Sequence, residues 1–572
     1  MDSDLFGYWK NPRKSNLSIV RKISLKSWAN SEYFSLLIGG VFGSWFVGLK
    51  NLAPWNYQWL YAKGDGALTQ LGFEFFRKQP LIQWPITSVS KYIKGTDLII
   101  PTENGIVNLI GKLVGYVFSG NFQFVGIWLV ACFALQGFFG SKLISRFVQS
   151  KNERTLGSLI FITAPAFIFR VGSMNHYALA AQWMILFALY LYFDSEEKTK
   201  IWSCFLFFAV FTSIYIAPMV TLIYLAQRLK LLLEKKTLNL VSLMSPIIAL
   251  ASGFIFMGYM SMRTSVAGTN FFRLNVLAFV NPGFSDSASF SYLLNHLGTD
   301  RIRHVFSEEW EGFQYLGTII IFGVIIGLAR VRKSSLCQWQ KFLPIVIAAV
   351  GMFVFALSNQ IFVLQQEFSY WWPSPLIHLR EIFRGATRFG WPAYYLFTLY
   401  GVIQISVLLR KTKLKNAFFV IVAIMLIESS PGVFSTRNQM AESLEYKSSI
   451  QSAKWVGLTA NHEHMVIYPN FDLGVGEVTG DAKFWVTRWF DLCKLAVDQN
   501  MTTNFGYAPR PLGSYVATQD SVVKASLESG DLQDKTIYFL ANGNLWREFS
   551  KAHASRADFY EVDGYFVIAS KD

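Results

Sequence analysis

Long apolar runs separated by short basic connections fill the first 430 or so residues, and strand-length runs follow. The apolar runs 33–49, 122–144, 156–169, 177–193, 201–214, 216–233, 238–259, 313–328, 342–357, 389–409 and 418–428 predict about eleven transmembrane helices. Lys and Arg collect before the first run (Lys10, Arg13, Lys14, Arg21, Lys22, Lys26) and in the connections around 146–154, 228–236, 330–333 and 410–413. Because such residues stay on the cytoplasmic side, this pattern places the N-terminus inside and the segment 50–121 outside as a first extracytoplasmic loop. The same alternation exports 431–572. There the apolar runs shorten to 465–468, 536–540 and 565–569, with helical patterns at 483–499 and 544–553, which predicts a soluble α/β domain. The predicted fold is thus a polytopic α-helical membrane protein, 1–430, carrying a C-terminal extracytoplasmic α/β domain, 431–572.

Composition agrees with the pattern. Apolar residues make up 52% of the chain and charged residues 16%, which excludes an ordinary soluble protein. No apolar segment with a small-residue cleavage site precedes residue 33, so the first run is expected to remain as an anchor. The formal charge of +15 belongs to the membrane part, since acids slightly exceed bases beyond 431. It suits topology and contact with anionic membrane lipids better than nucleic-acid binding. Cys132, Cys204, Cys337 and Cys493 are scattered and indicate neither a disulfide framework nor a thiolate metal site.

Candidate chemistry gathers on the predicted outer face. Asp65 sits between Gly64 and Gly66 just after the first run, ahead of an amphipathic pattern with Leu68, Leu71 and Phe75 on one face and Arg77-Lys78 at its end. It reads as a base at the membrane surface or as turn chemistry. Glu74, Asp97 and Glu103 share its loop, and 81–85 (Leu-Ile-Gln-Trp-Pro) reads as a turn between two surface helices. A second outer turn runs from Arg170 to His176; His176 reads as a proton carrier, a hydrogen-bond donor to phosphate, or a capping loop histidine. The third candidate, 380–392, holds Arg380, Arg384 and Arg388 on the outer side of a span, where basic residues are disfavoured. A guanidinium fork matches a phosphate, and a spacing of four would put Arg384 and Arg388 on one helical face; snorkelling to headgroups is the alternative.

A first span, a long outer loop opening on an aspartate, many further spans and an outer C-terminal domain resemble the GT-C superfamily of integral membrane glycosyltransferases. Gly64-Asp65-Gly66 with Phe75-Phe76-Arg77 and Trp84-Pro85, the stretch from Thr163-Ala164-Pro165-Ala166 to Asn175-His176, the motif 310–317 (Trp-Glu-Gly-Phe-Gln-Tyr-Leu-Gly) and 383–392 resemble an uncharacterised bacterial branch of it. The resemblance implies a GT-C-like bundle in the cytoplasmic membrane. It implies inverting transfer of a sugar from a polyprenyl-phosphate donor to an acceptor hydroxyl of an envelope glycan, lipid or protein, with Asp65 as catalytic base. His176 would assist, and Arg384, Arg388, Arg170 and Arg77 would hold the donor phosphate. Asp65 lacks an acidic neighbour two residues away, which favours a phosphate monoester donor with no cofactor and no divalent metal, although Glu74 or Asp97 could join it in the fold. Two rivals remain: a non-catalytic transporter or polysaccharide-assembly protein, and a membrane acyltransferase using His176 or His378.

Overall fold

The computed structural model describes residues 31–62, 64–86, 104–118, 120–234, 239–259, 272, 274–283, 289–293, 310–330, 339–363, 366–411, 416–442, 446–471, 478–505 and 513–571. Lys63, Asp97, Glu103, Cys337 and the basic N-terminal residues lie outside this set. The described residues fall into two compact units. One draws on Met1–Asn56, Phe122–Gly253 and Thr269–Ser443, and the other on Tyr57–Asn121, Phe254–Gly268 and Leu444–Asp572. The first-loop segment therefore shares a unit with the C-terminal region, a grouping that the linear boundary near 430 does not suggest.

The span count is corrected. Among the described residues six helices are long and apolar enough to cross a membrane: Val125–Ile144, Ile216–Leu233, Leu240–Met257, Gln340–Leu357, Ala386–Arg410 and Ala417–Ala441. A seventh is added if Lys151–Ile162 and Pro165–Gly172, bent by 42° at their break, act as one. Length explains the difference from about eleven: the first run, 33–49, is a helix of 17 residues, Ser31–Val47, or about 26 Å. The runs at 201–214 and 313–328 become helices Thr199–Thr212 and Thr318–Ala329. At about 1.5 Å per residue these reach roughly 21 and 18 Å, short of a hydrocarbon core of about 30 Å. The 156–169 run is cut by Pro165, which starts a new helix because it has no N–H to continue the old one. The 177–193 run opens as a 3-10 turn, Tyr177–Ala180, before the 10-residue helix Trp183–Tyr192.

Helices Ser31–Val47 and Val125–Ile144 meet at glycines. A Cβ on Gly39 would lie 2.3 Å from the Phe133 carbonyl oxygen, and one on Gly137 would lie 2.4 Å from that of Ser35. Small residues let helix backbones approach where lipid supplies no hydrophobic drive. The crossing is extended by a hydroxyl bond from Ser158 Oγ to Ser35 Oγ at 2.9 Å.

In the other unit a five-stranded sheet has the order Thr502–Thr503, His464–Tyr468, Thr536–Leu540, Tyr565–Ser570, Ala557–Val562. The first three strands run parallel and the remaining pairings are antiparallel. Period-two alternation divides its side chains between two cores: Met465, Ile467, Ile537, Phe539 and Val567 face one way, and Val466, Tyr538, Leu540 and Ile568 the other. Leu71, Phe75 and Phe76 of helix Asp65–Lys78 enter the first of these cores, with Leu492 and Ala496 of helix Trp489–Asp498. The apolar face that the sequence suggested for a membrane surface is therefore buried in protein. Glu74 on the same helix accepts bonds from the Tyr61 hydroxyl and from Gln70 Nε2. Burial pushes its carboxyl above the usual range against both bonds.

The glycine contact yields a signed test. Gly39→Ala should destabilise the protein by about 1–3 kcal/mol, seen as a lower unfolding temperature in detergent. Gly40→Ala, whose Cβ meets only the Ala134 methyl at 3.9 Å, should be neutral or gain up to about 1 kcal/mol from helix propensity.

Candidate functional site

Three short, non-repetitive pieces of the membrane unit converge on one carboxylate. Arg170 comes from the last turn of helix Pro165–Gly172, just past the bend. The chain then reverses through Asn175 in the left-handed region, φ 54°, where an asparagine costs little, and the His176 amide donates to the Arg170 carbonyl at 3.3 Å. Glu311 lies in the 3-10 turn Trp310–Gly312, and Arg388 in the 3-10 turn Ala386–Gly390 that leads into helix Trp391–Lys411. The last two pieces are tied together by backbone approach. Thr387 Oγ1 donates to the Glu311 carbonyl at 3.2 Å and Gln314 Nε2 to the Thr387 carbonyl at 2.9 Å. Gly390 is needed there, since its Cβ would stand 2.3 Å from Gln314 Oε1.

Glu311 is 2% exposed and is gripped from both sides. Arg170 Nη1 donates to Oε2 at 2.7 Å and Nη2 to the Glu311 carbonyl at 2.7 Å. Arg388 Nη2 donates to Oε1 at 2.9 Å and Nε to Oε2 at 3.2 Å, a two-point fork. His176 Nδ1 stands 3.0 Å from Arg170 Nη1 and 3.8 Å from Glu311 Oε1. Burial alone would raise the Glu311 carboxyl, but the charges of Arg170 and Arg388 outweigh it and hold the group well below the usual carboxylate range. Two guanidiniums on one carboxylate leave a surplus positive charge, and both also lie over aromatic rings: Arg388 at 4.4 Å from the Tyr215 centroid, Arg170 at 5.6 Å from Trp391.

The remaining arginines of 380–392 are arranged differently from the expectation. Helix Ser374–Ile382 ends before Arg384, and Arg388 lies in the next 3-10 turn, so the two do not share a helical face. Arg388 is committed to Glu311, whereas Arg384 lies over the Phe272 ring at 5.9 Å. Arg380 is the unexpected residue. It is 3% exposed, its Nη2 donates to the Phe272 carbonyl at 3.0 Å, and its Nε and Nη1 have no hydrogen-bond partner among the described residues. Burial brings its pKa down to about 10.

Asp65 and Arg77 belong to the other unit. Asp65 is the half-buried first residue of helix Asp65–Lys78, after Gly64 at φ 50°. Arg77 spans to the Gly120 carbonyl at 2.7 Å and Asn121 Oδ1 at 3.1 Å, which closes the ends of the first-loop segment. Glu74 is bonded to Tyr61 and Gln70, as described above. His378 is exposed and pairs with Glu381 at 3.1 Å. Sequence reading missed Glu311 and undervalued Arg380. The signal for Glu311 was present, a lone acid in the otherwise uncharged stretch 310–317.

The membrane unit also carries an open groove of about 600 Å³ lined by Leu36, Gly40, Val41, Trp45, Ala134 and Arg437, whose guanidinium lies over the Trp45 ring at 5.3 Å.

Apolar helices of membrane length joined to an α/β region define an integral membrane protein. The chain matches the family described as Domain of unknown function (DUF6311) over residues 36–428, and the DUF6311 C-terminal domain over 454–570. It belongs to that family. No curated protein matches it.

Removing the carboxylate charge leaves two buried guanidiniums facing each other, so Glu311→Gln should cost about 3–5 kcal/mol of stability. The pH dependence has a definite sign. Because the folded carboxyl lies below its unfolded value of about 4.3, its contribution is complete above that pH and is lost only as pH falls toward the depressed folded value. Thermal unfolding of wild type should therefore stay level from neutrality to about pH 5 with respect to this group, while the difference from Glu311→Gln narrows below it.

Proposed function

We propose that this protein is a membrane glycosyltransferase that moves a sugar from a polyprenyl-phosphate donor to an acceptor hydroxyl at the outer face of the cytoplasmic membrane. The observation that carries the reading is Arg380, a buried guanidinium with two nitrogens lacking partners among the described residues, in the same segment as Arg384. Buried donors without acceptors are costly, and a planar fork is the donor set that a phosphate completes. A lipid-borne anion also accounts for Arg380 and Arg384 ahead of the span Ala386–Arg410, Arg388 being taken by Glu311. The groove beside Trp45 and Arg437 is apolar enough to take a polyprenyl tail. Arg388 and Arg170, engaged by Glu311, are assigned to positioning. Phosphate binding passes chiefly to Arg380 and Arg384.

In this reading Asp65 removes the proton of the acceptor hydroxyl as that oxygen attacks the anomeric carbon. The bond from that carbon to the phosphate oxygen breaks, and its electron pair leaves with the polyprenyl phosphate, with inversion. Asp65 later returns the proton to water. The orientation belongs to the same reading, with the N-terminus cytoplasmic and the C-terminal domain outside.

A second reading has one observation in its favour. Lys151–Ile162 and Pro165–Gly172 form a broken helix pair, and Arg170, 1% exposed, follows the break, as in transporters whose discontinuous helices carry buried charge.

The test uses the full chain in lipid nanodiscs and a panel of tritiated polyprenyl-phosphate sugars. Binding to at least one donor and release of its polyprenyl phosphate are expected. Asp65→Asn should cut release about a hundredfold to ten-thousandfold with donor binding kept. Arg380→Lys should weaken donor binding about tenfold or more. Absence of binding to every donor, together with movement of a solute across proteoliposomes, would establish the second reading. A reporter fused after Asp572 should be active only outside the cytoplasm; cytoplasmic activity overturns the orientation.

A further inference from the structure

Another buried carboxylate of the membrane unit has no ion-pair partner among the described residues. Glu428 lies near the middle of Ala417–Ala441, a 25-residue helix apolar enough to span, and is 7% exposed. Its Oε1 accepts from Ser291 Oγ, from Thr318 Oγ1 at 2.6 Å and from Tyr315 Oη at 3.3 Å, with the last two hydroxyls 2.8 Å apart. Its Oε2 is shielded from solvent and has no hydrogen-bond partner among the described residues. No Lys, Arg or His forms an ion pair with it among those residues, and Tyr315 is the other titratable group within hydrogen-bond reach. The neighbouring segments pack through aromatic rings: Phe290 lies 5.3 Å from Phe313 in a tilted arrangement, and a Cβ on Gly432 would strike the Phe290 ring at 2.5 Å.

This arrangement differs from that of Glu311, which is neutralised by guanidiniums. Among the described residues the first oxygen of this carboxylate meets neutral hydroxyls, its second has no hydrogen-bond partner, and no counter-charge pairs with it. Each hydroxyl has one donor and two lone pairs, so Ser291, Thr318 and Tyr315 can turn from donating to the carboxylate to facing a cation with oxygen. A single carboxylate charge is matched by one monovalent cation, and hard cations take oxygen ligands of this kind. The helix is also loosened there. Pro431 cannot donate to the Ile427 carbonyl, which accepts the Ser430 hydroxyl at 2.8 Å instead.

We propose that Glu428, with the hydroxyls of Ser291, Thr318 and Tyr315, is an intramembrane binding site for a hard monovalent metal cation, a sodium ion. The stretch 311–318 would then link two charge sites, since Glu311 holds the arginines at one end and Tyr315 and Thr318 serve Glu428 at the other. The inference is independent of whether the protein transfers sugar or moves a solute.

The probe is dicyclohexylcarbodiimide, which modifies protonated carboxyls shielded from water. It is applied to the full chain in nanodiscs in sodium-free choline buffer, and the labelled residue is read by peptide mass spectrometry. At one fixed pH, labelling of Glu428 is expected, and slowing by sodium chloride relative to choline chloride, about threefold or more, identifies sodium as the occupant. Thr318→Val removes a hydroxyl at nearly constant shape and should shift the half-effective sodium concentration by about tenfold, which a merely structural hydroxyl would not do. Glu428→Gln supplies the unlabelled control. Absence of labelling at Glu428, or labelling indifferent to sodium, overturns the proposal.

Discussion

The membrane unit turns on the carboxylate of Glu311. Three breaks in regular structure come together there: the end of helix Pro165–Gly172, the turn Trp310–Gly312 and the turn Ala386–Gly390. None of them has enough helical repeat to fix its own place. What fixes them is that Arg170 and Arg388 each make two bonds to Glu311, while Thr387 and Gln314 tie the two turns through their carbonyls. Desolvating three charges is expensive, so the cluster is weak evidence of net stability. Its value is specificity of arrangement, because every alternative packing of these segments would leave a buried charge without its partner.

That constraint redistributes the arginines. With Arg388 forked onto Glu311 and lying over Tyr215, its donors point inward, and within 380–392 it is Arg380 whose Nε and Nη1 have no hydrogen-bond partner among the described residues. The same logic separates two of the buried acids of this unit, the third, Asp194, being paired with Arg146 and Lys198. Glu311 has more positive charge than it needs, and Glu428 has none within an ion pair among the described residues. A segment of eight residues, 311–318, supplies side chains to both sites.

Legibility followed from how local each determinant is. The strands at 464–468, 536–540 and 565–570 were visible because their alternation is intact, and their two faces do enter two cores. Ala557–Val562 was missed because Asp558 and Glu561 interrupt its apolar pattern at the sheet edge, although Asp563-Gly564, both at positive φ, is good hairpin-turn chemistry. Gly513–Ser529 was missed because its serines, threonine and aspartate dilute the helical period. The arginines of the site were legible as basic residues out of place. Their acidic partner stood out as a lone acid in 310–317, but its pairing was not legible, since Glu311 is 141 residues from Arg170 and 77 from Arg388.

The overcount of spans has an informative cause. Hydropathy measures how apolar a run is and does not say whether the run lies against lipid or against protein. Residues 313–317 illustrate this: their backbone is neither helix nor strand, and all of them are buried. Extended backbone among membrane helices is tolerated only where protein satisfies its polar groups, and here the Leu316 amide donates to the Phe279 carbonyl while Gln314 reaches Thr387. The apolar character of 313–328 thus comes partly from burial inside the unit, which shortens the helix that follows to Thr318–Ala329. A stretch freed from helical repeat presents side chains at spacings that a helix cannot offer, and Glu311, Gln314, Tyr315 and Thr318 use that freedom to serve two charge sites at once.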